Sequence, residues 1–213
     1  MPRNLYPMFV DLSGRRCAVV GGGSVAERKV GGLLACGASV KVISPKLTRN
    51  LRKWAEGEKI EHVPRGYGKG DLRGAFLVIA ASNDGEVNDR VRREASALGI
   101  PANVADRPES CGFFIPSVVR RGLLTLAIST GGASPALAKR LRTDLEERVG
   151  PEYAGLLKAL EQFRAEVLAK VKDPAERRRI LQSAGGHPGL PAKLRRGETP
   201  GALLEELRKE FGL

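Results

Sequence analysis

Cysteine is scarce in this sequence: Cys17, Cys36 and Cys111 are the only three in 213 residues, with no CxxC pair. Thiols so few and scattered exclude a disulfide framework and point to a reducing, cytoplasmic setting. Cys17 and Cys36 fall in apolar segments and read as small buried hydrophobes. Histidine is scarcer still. His62 and His187 stand alone, and no HxxxH or paired-carboxylate pattern supports a resident metal. Aromatics make up 5% of the chain, too few to build stacking platforms for nucleic acid. No apolar run approaches the ~18 residues that span a bilayer. The start, MPRNLYPMFVDLSG, lacks the long apolar core of a signal peptide. The expectation is a protein that engages neither nucleic acid nor membrane.

Positive charge is in surplus. A net charge of +12 attracts polyanions. With stacking residues so few, a small molecule bearing many carboxylates is as good a partner as nucleic acid. Part of the surplus is solvated surface, notably in the basic C-terminal part. Hydrophobic residues at 42% and charged ones at 28% are proportions of a globular chain.

The pattern along the chain alternates. Strands are expected at Cys17–Val20, Ser39–Ile43, Ile60–Val63, Phe76–Ala81 and Ala102–Val104. Helices are expected between them at Val25–Ala35, Thr48–Ala55 and Glu86–Leu98, with Gly37 and Gly99 as stops. Strands alternating with helices imply an α/β fold with a doubly wound parallel sheet. This unit ends near Cys111. Phe113–Ile115 and Leu123–Ile128 then read as two strands joined through Arg120-Arg121-Gly122, followed by a helix from Pro135 to about Arg148. From Pro151 onwards everything reads as helix, with Pro151 and Pro174 as starts and Gly185-Gly186 and Gly189 as a loop.

Two turns carry chemistry. Gly21, Gly23 and Ala26 fit G-x-G-x-x-G/A between a strand and a helix. The first glycine permits the tight turn, the second admits a pyrophosphate to the backbone, and the small third residue lets helix and strand pack. Helix amides then hold the phosphate charge. Gly21, Gly22, Gly23, Ser24, Val25 and Ala26 are therefore the expected dinucleotide cradle. The acidic residue expected ~20 positions on, for the ribose 2′-hydroxyl, is absent. Ser44 offers a hydroxyl there, while Lys41 and Lys46 suit a 2′-phosphate, so the motif leaves NAD and NADP both open. Ser82, Asn83 and Asp84 follow the FLVIAA strand and face the same crevice, with a turn or cap as their bland role.

The second turn, LAISTGGASPALAKRLR, repeats the logic. Ser134 is a natural N-cap and Pro135 a natural first helical residue. Ser129, Thr130, Gly131 and Gly132 present hydroxyls and amides, and Lys139, Arg140 and Arg142 add charge. An ordinary capped helix is the competing explanation. Asn103 lies in the last strand of the sheet, and Asp106 follows it at the ligand-binding edge.

The ordered motifs GGG-VAERK, AAS-D--VN, NV-D, FFIPS and STGGASPALAKRLR resemble precorrin-2 dehydrogenase, the amino-terminal module of siroheme synthase, also found alone. The resemblance runs from about Tyr6 to Arg148 and continues more weakly into the tail, where AERRR fits. It implies NAD-dependent oxidation of precorrin-2 to sirohydrochlorin and, in some members, insertion of Fe²⁺ to give siroheme. It implies a homodimer with a Rossmann-like domain (1–112), a dimerisation segment (113–148) and a helical C-terminal domain (149–213). Asp106 corresponds to the family's important aspartate and is the expected catalytic residue, accepting a proton or anchoring a pyrrole nitrogen. Asn103, Ser117, Ser129, Thr130, Gly131, Gly132, Lys139 and Arg140 are expected to meet the polycarboxylate substrate. Thr130 stands where the family commonly has serine. The C-terminal part is too short for a fused methyltransferase module, so precorrin-2 is expected from a separate enzyme.

Two other readings fit the first turn. One is a different NAD(P)-dependent oxidoreductase of a small anionic metabolite, which leaves the STGGASP turn unexplained. The other is a non-enzymatic NAD-binding redox regulator, for which no helix-turn-helix is evident.

Overall fold

Short apolar strands separated by one-faced helices bury both faces of a sheet when they run parallel. The computed structural model, which describes residues 4–105, 107–187 and 189–213, shows this arrangement. The first unit contains β1 (Arg16–Val20), α1 (Ser24–Leu34), β2 (Ser39–Ile43) and α2 (Arg49–Glu56). It continues with β3 (Ile60–Val63), β4 (Leu77–Ala80), α3 (Gly85–Ala97) and β5 (Ala102–Val104). The strands form one parallel sheet in the order β3-β2-β1-β4-β5. This is a Rossmann-like order, and its switch point lies between β1 and β4.

The period-2 alternation of the strands sorts side chains onto two cores. Val19 and Ile79 pack with Ala26 and Val30 of α1 and Leu51 of α2. Ala18, Val20, Val78 and Ala80 pack with Val91 and Ala95 of α3. Cys17 belongs to the first core, where burial, and secondarily Cys36, pushes its thiol up to about 11. Gly37 and Gly99, with φ of 72° and 67°, take the left-handed conformation that stops α1 and α3.

One expected strand does not form. Phe113–Ile115 is irregular, and the hairpin is instead β6 (Ser117–Arg121) and β7 (Leu124–Ile128), antiparallel and joined by Gly122-Leu123. Phe113 packs into the α1-side core and Phe114 into the α3-side core. Asn103 Nδ2 also donates to the Phe113 carbonyl at 3.0 Å. These residues are therefore committed to the sheet unit, and Pro116, which has no N–H to donate, delays the ladder to Ser117.

The chain folds as two compact units, with the boundary between Ile115 and Pro116. The second unit holds the hairpin, α4 (Pro135–Arg148), α5 (Glu152–Lys170), α6 (Pro174–Gly186), α7 (Leu190–Arg195) and α8 (Pro200–Phe211). Phe163 is fully buried among Val167, Ile180, Leu203 and Leu207, and its ring meets Phe211 at 5.7 Å between centroids. Gly185-Gly186 is not a loop. It forms the last turn of α6, held in helix by the burial of Ile180 and Ala184 just before it. Among the described residues no helix is long and apolar enough to cross a membrane.

Phe163→Ala is expected to destabilise the helical unit by about 3–5 kcal/mol, the cost of a large cavity in a closed core. Urea denaturation followed by circular dichroism measures it.

Candidate functional site

Ligands of an open α/β sheet bind beyond the carboxyl ends of its strands, at the switch point. Here the ends of β1, β2 and β4 converge on the glycine turn. Gly21 has φ of 126°, and a Cβ on it would stand 2.2 Å from the Ala81 carbonyl oxygen, at the end of β4. A Cβ on Gly22 would stand 1.9 Å from the Lys46 carbonyl oxygen and 2.6 Å from Ser44 Oγ, beyond β2. Backbone bonds close the same junction: Gly21 N–H donates to Ile43 O at 3.0 Å and Thr48 N–H to Gly22 O at 3.0 Å.

Gly23 differs. A Cβ there would meet nothing within 4 Å. It is the N-cap of α1 and supplies no side-chain acceptor, whereas Thr48 caps α2 and Asp84 caps α3. The first turn of α1, Ser24, Val25 and Ala26, therefore keeps its amides for a ligand. Ala26 is fully buried against the sheet, where a larger residue would push the helix away. An open, uncapped helix end above an exposed glycine fits the phosphates of a dinucleotide.

Several other side chains of this edge are bonded within the protein. Ser44 is 8% exposed and donates its hydroxyl to the Lys46 carbonyl at 2.7 Å. Lys41 pairs with Glu61 at 3.8 Å, leaving Lys46 as the exposed cation of the two. Asp84 has the cap role, accepting from Glu86 N at 2.8 Å and Val87 N at 3.3 Å. Ser82 Oγ accepts from Asp84 N at 3.1 Å, and Asn83 is exposed at the tip. Asn103 is 7% exposed, with its amide nitrogen turned to Phe113 O and to Cys111 Sγ, inside the sheet unit. Asp106, expected to be catalytic, lies outside the described residues.

Two residues of this edge escaped the sequence reading. Glu27 of α1 accepts from the Thr48 hydroxyl, and from Asn50 Nδ2 at 2.7 Å, tying α1 to the start of α2. The Thr48 bond first, and the Asn50 bond second, hold its carboxyl below the usual range, so the group stays charged. Asn88 is buried on α3 and clamps Ser82 by two bonds, Nδ2 to Ser82 O at 2.9 Å and Ser82 N to Oδ1 at 3.1 Å. The available signal for Asn88 was a polar residue on the helical face of Val91 and Ala95. Glu27 gave none, because an exposed acid in a first helical turn is ordinary.

The second expected group assembles in the hairpin unit. Ser117 lies opposite Ile128 in the ladder, so the loop after β7 stands beside the start of β6. Within that loop Gly131 and Gly132 have φ of 62° and 89°. The Thr130 hydroxyl donates to Ser134 O at 3.1 Å and accepts from Ser134 N at 3.1 Å. Ser129 Oγ accepts from Gly131 N at 3.1 Å, and Ser134 Oγ caps α4 through Leu137 N at 3.2 Å. Lys139 and Arg140 are exposed on α4. Among the described residues no group of three or more His, Cys, Asp or Glu is placed to hold a metal ion.

Comparison with known proteins agrees with this geometry. A family model described as putative NAD(P)-binding matches residues 8–117, and one described as sirohaem biosynthesis protein central matches 121–148. Siroheme synthase of Methylobacillus flagellatus is 44% identical over 172 residues, 81% of this chain and 37% of the relative. That of Thioalkalivibrio sulfidiphilus is 42% identical over 179 residues, 84% of this chain and 37% of the relative. The chain thus spans 37% of the length of each of these relatives. Among solved structures, SirC, precorrin-2 dehydrogenase, is similar with a TM-score of 0.79 and 28% identity, covering 96% of this chain and 100% of that one.

The three glycines should separate by experiment. Gly22→Ala should cost about 1–3 kcal/mol or more of stability, because its Cβ meets backbone. Gly23→Val should leave the melting temperature of the free protein near that of the parent while dinucleotide affinity falls at least about tenfold. Thermal melts and dinucleotide titration on the same preparations decide.

Proposed function

This chain belongs to the putative NAD(P)-binding family, and from that premise we propose that it oxidises precorrin-2 to sirohydrochlorin in siroheme biosynthesis, in the cytoplasm, with NAD⁺. The observation that carries the reading is the open, uncapped start of α1 at the switch point, in a chain that matches siroheme synthases across both of its units. NAD⁺ rather than NADP⁺ is favoured by the charged Glu27 of α1, bonded to Thr48 and Asn50 at the start of α2, and by the commitment of Lys41 to Glu61.

Gly23 and the first turn of α1 would hold the pyrophosphate through backbone amides, and Asn88 and Asp84 would keep the β4 loop in place beside it. When bound, the nicotinamide supplies the hydride acceptor that no side chain provides. Precorrin-2 loses a hydride and a proton in this oxidation. Asp106, two residues beyond β5 in sequence, is assigned the proton, which then passes to water. Ser129, Gly132, Lys139 and Arg140 are assigned to the substrate's carboxylates as exposed donors, and Gly131, whose N–H is given to Ser129 Oγ, to the shape of the loop. Ser129 suits this better than Thr130, whose O–H is already given to Ser134. Asn103 is assigned to holding the chain rather than substrate.

The same reading includes a homodimer. Leu123 of the hairpin turn is 69% exposed, and Leu137 and Leu141 of α4 are 41% and 37% exposed, a set of apolar side chains suited to a second copy. Sedimentation should give a dimer at micromolar concentration; a monomer would overturn the assembly.

Anaerobic turnover of precorrin-2 with NAD⁺, followed by absorbance, tests the activity. Asp106→Ala should lower the rate by about 10²–10⁴-fold, the usual worth of a positioned acid or base. NAD⁺ affinity and melting temperature should hold. Near-normal turnover removes Asp106 from the mechanism, and absence of turnover in the parent protein removes the activity.

A further inference from the structure

α3 starts at the carboxyl edge of the sheet, where Asp84 caps it, and runs back toward the opposite edge. Along its second half lies a cavity of about 400 Å³, formed with the loop between β3 and β4. It is separate from the glycine turn, and none of the residues assigned above to dinucleotide or substrate lines it.

Four cations line this cavity: Lys69 and Arg73 from the loop, Arg90 and Arg93 from α3. One carboxylate, Glu94, lines it with them. Both Glu94 oxygens are already engaged, one by the Tyr67 hydroxyl and the other by Gly70 N–H at 2.9 Å. Among the described residues none of the four cations forms an ion pair with a carboxylate. The formal charge of the lining is therefore about +3 at neutral pH.

The loop that brings these charges together is braced. Arg65 grips Asp71 with two bonds, of 2.8 and 2.7 Å, and Gly68 N–H adds a third at 2.8 Å. The Arg65 bond is the main reason that the Asp71 carboxyl is held down to about 2. Arg90 donates to the Tyr67 carbonyl at 3.3 Å and lies over the Tyr67 ring, 5.5 Å from its centroid. Both acids of the loop junction thus serve as braces. Like charges gathered on a braced frame repel, and a multivalent anion offsets that repulsion with charge-assisted hydrogen bonds.

We propose that this cavity binds a small anion carrying at least two acidic groups, phosphate or carboxylate, at a site distinct from both the dinucleotide turn and the α4 loop. The site is independent of the oxidation chemistry: it needs only the sheet unit's own residues.

Pyrophosphate and citrate serve as the two probes, titrated calorimetrically into the full chain at fixed ionic strength, with NAD⁺ saturating so that the glycine turn is filled. The Lys69→Gln/Arg73→Gln double variant removes two exposed cations and leaves the Tyr67, Asp71 and Glu94 braces intact. Arg178→Gln/Arg179→Gln makes the same charge change on α6. One-to-one binding of either probe is expected, at least about tenfold weaker in the loop variant and unchanged in the α6 variant. A preference for pyrophosphate names phosphate as the acidic group, and a preference for citrate names carboxylate. Lack of saturable binding by both probes, or equal weakening in the two variants, would overturn the proposal. Melting temperatures without the probes verify that both variants are folded, and a single loop variant, Lys69→Gln, stands in if the double one is not.

Discussion

Three strand ends meet around two glycines that leave no room for a methyl group. A Cβ on Gly21 would collide with the end of β4, and one on Gly22 with the chain beyond β2. That closeness holds the switch point shut as a backbone surface and turns the start of α1 outward as its free face. Gly23 is the exception that makes the surface useful, since the space above it is empty of protein. The three consecutive glycines thus do three jobs: a positive φ, a backbone contact and an opening. Only the third leaves open space beside the backbone.

Four acidic side chains in the sheet unit act as braces. Glu27 ties α1 to α2, Asp84 caps α3, Asp71 grips its own loop, and Glu94 pins that loop to α3. Each of these carboxylates is turned toward backbone or a neighbouring side chain, while cations such as Lys46, Lys69 and Arg73 stand exposed. Exposed cations of this kind contribute to the field that a net charge of +12 creates. A field of that kind draws polycarboxylates without any aromatic platform.

Much of the sheet unit could be read from sequence because its signals are local. Thr48, Asp84 and Ser134 act as caps where short polar residues precede helices. Apolar patterning located each strand of the sheet to within a residue at each end. The difference is widest at β4, where Phe76 and Ala81 fall just outside: the ladder stops but burial continues at Ala81. The failures are all long-range. Phe113–Ile115 has the composition of a strand, yet its phenylalanines are claimed by two cores and its carbonyl by Asn103, ten residues earlier. Gly185-Gly186 has the composition of a loop, yet the burial of Ile180 and Ala184 carries the helix through it. The bonds of the Asn103 amide nitrogen to Phe113 O and Cys111 Sγ are equally illegible, because a residue in the last strand gives no hint that the chain returns beside it.

The STGGAS loop shows why one residue exchange can be absorbed. The Thr130 hydroxyl gives its hydrogen to Ser134 O and takes one from Ser134 N, closing the loop on itself. Those bonds require an oxygen on Cβ and nothing more, so serine and threonine serve equally, and the extra methyl group replaces no donor. Ser129 keeps a hydrogen to give, its oxygen accepting from Gly131 N, and so does Ser134, whose oxygen accepts from Leu137 N. The loop closed by Thr130 spans Gly131 and Gly132, both in the left-handed region that glycine adopts without strain. The hydroxyl at position 130 therefore shapes the loop through the backbone, while the one at position 129, on an exposed residue, keeps its hydrogen.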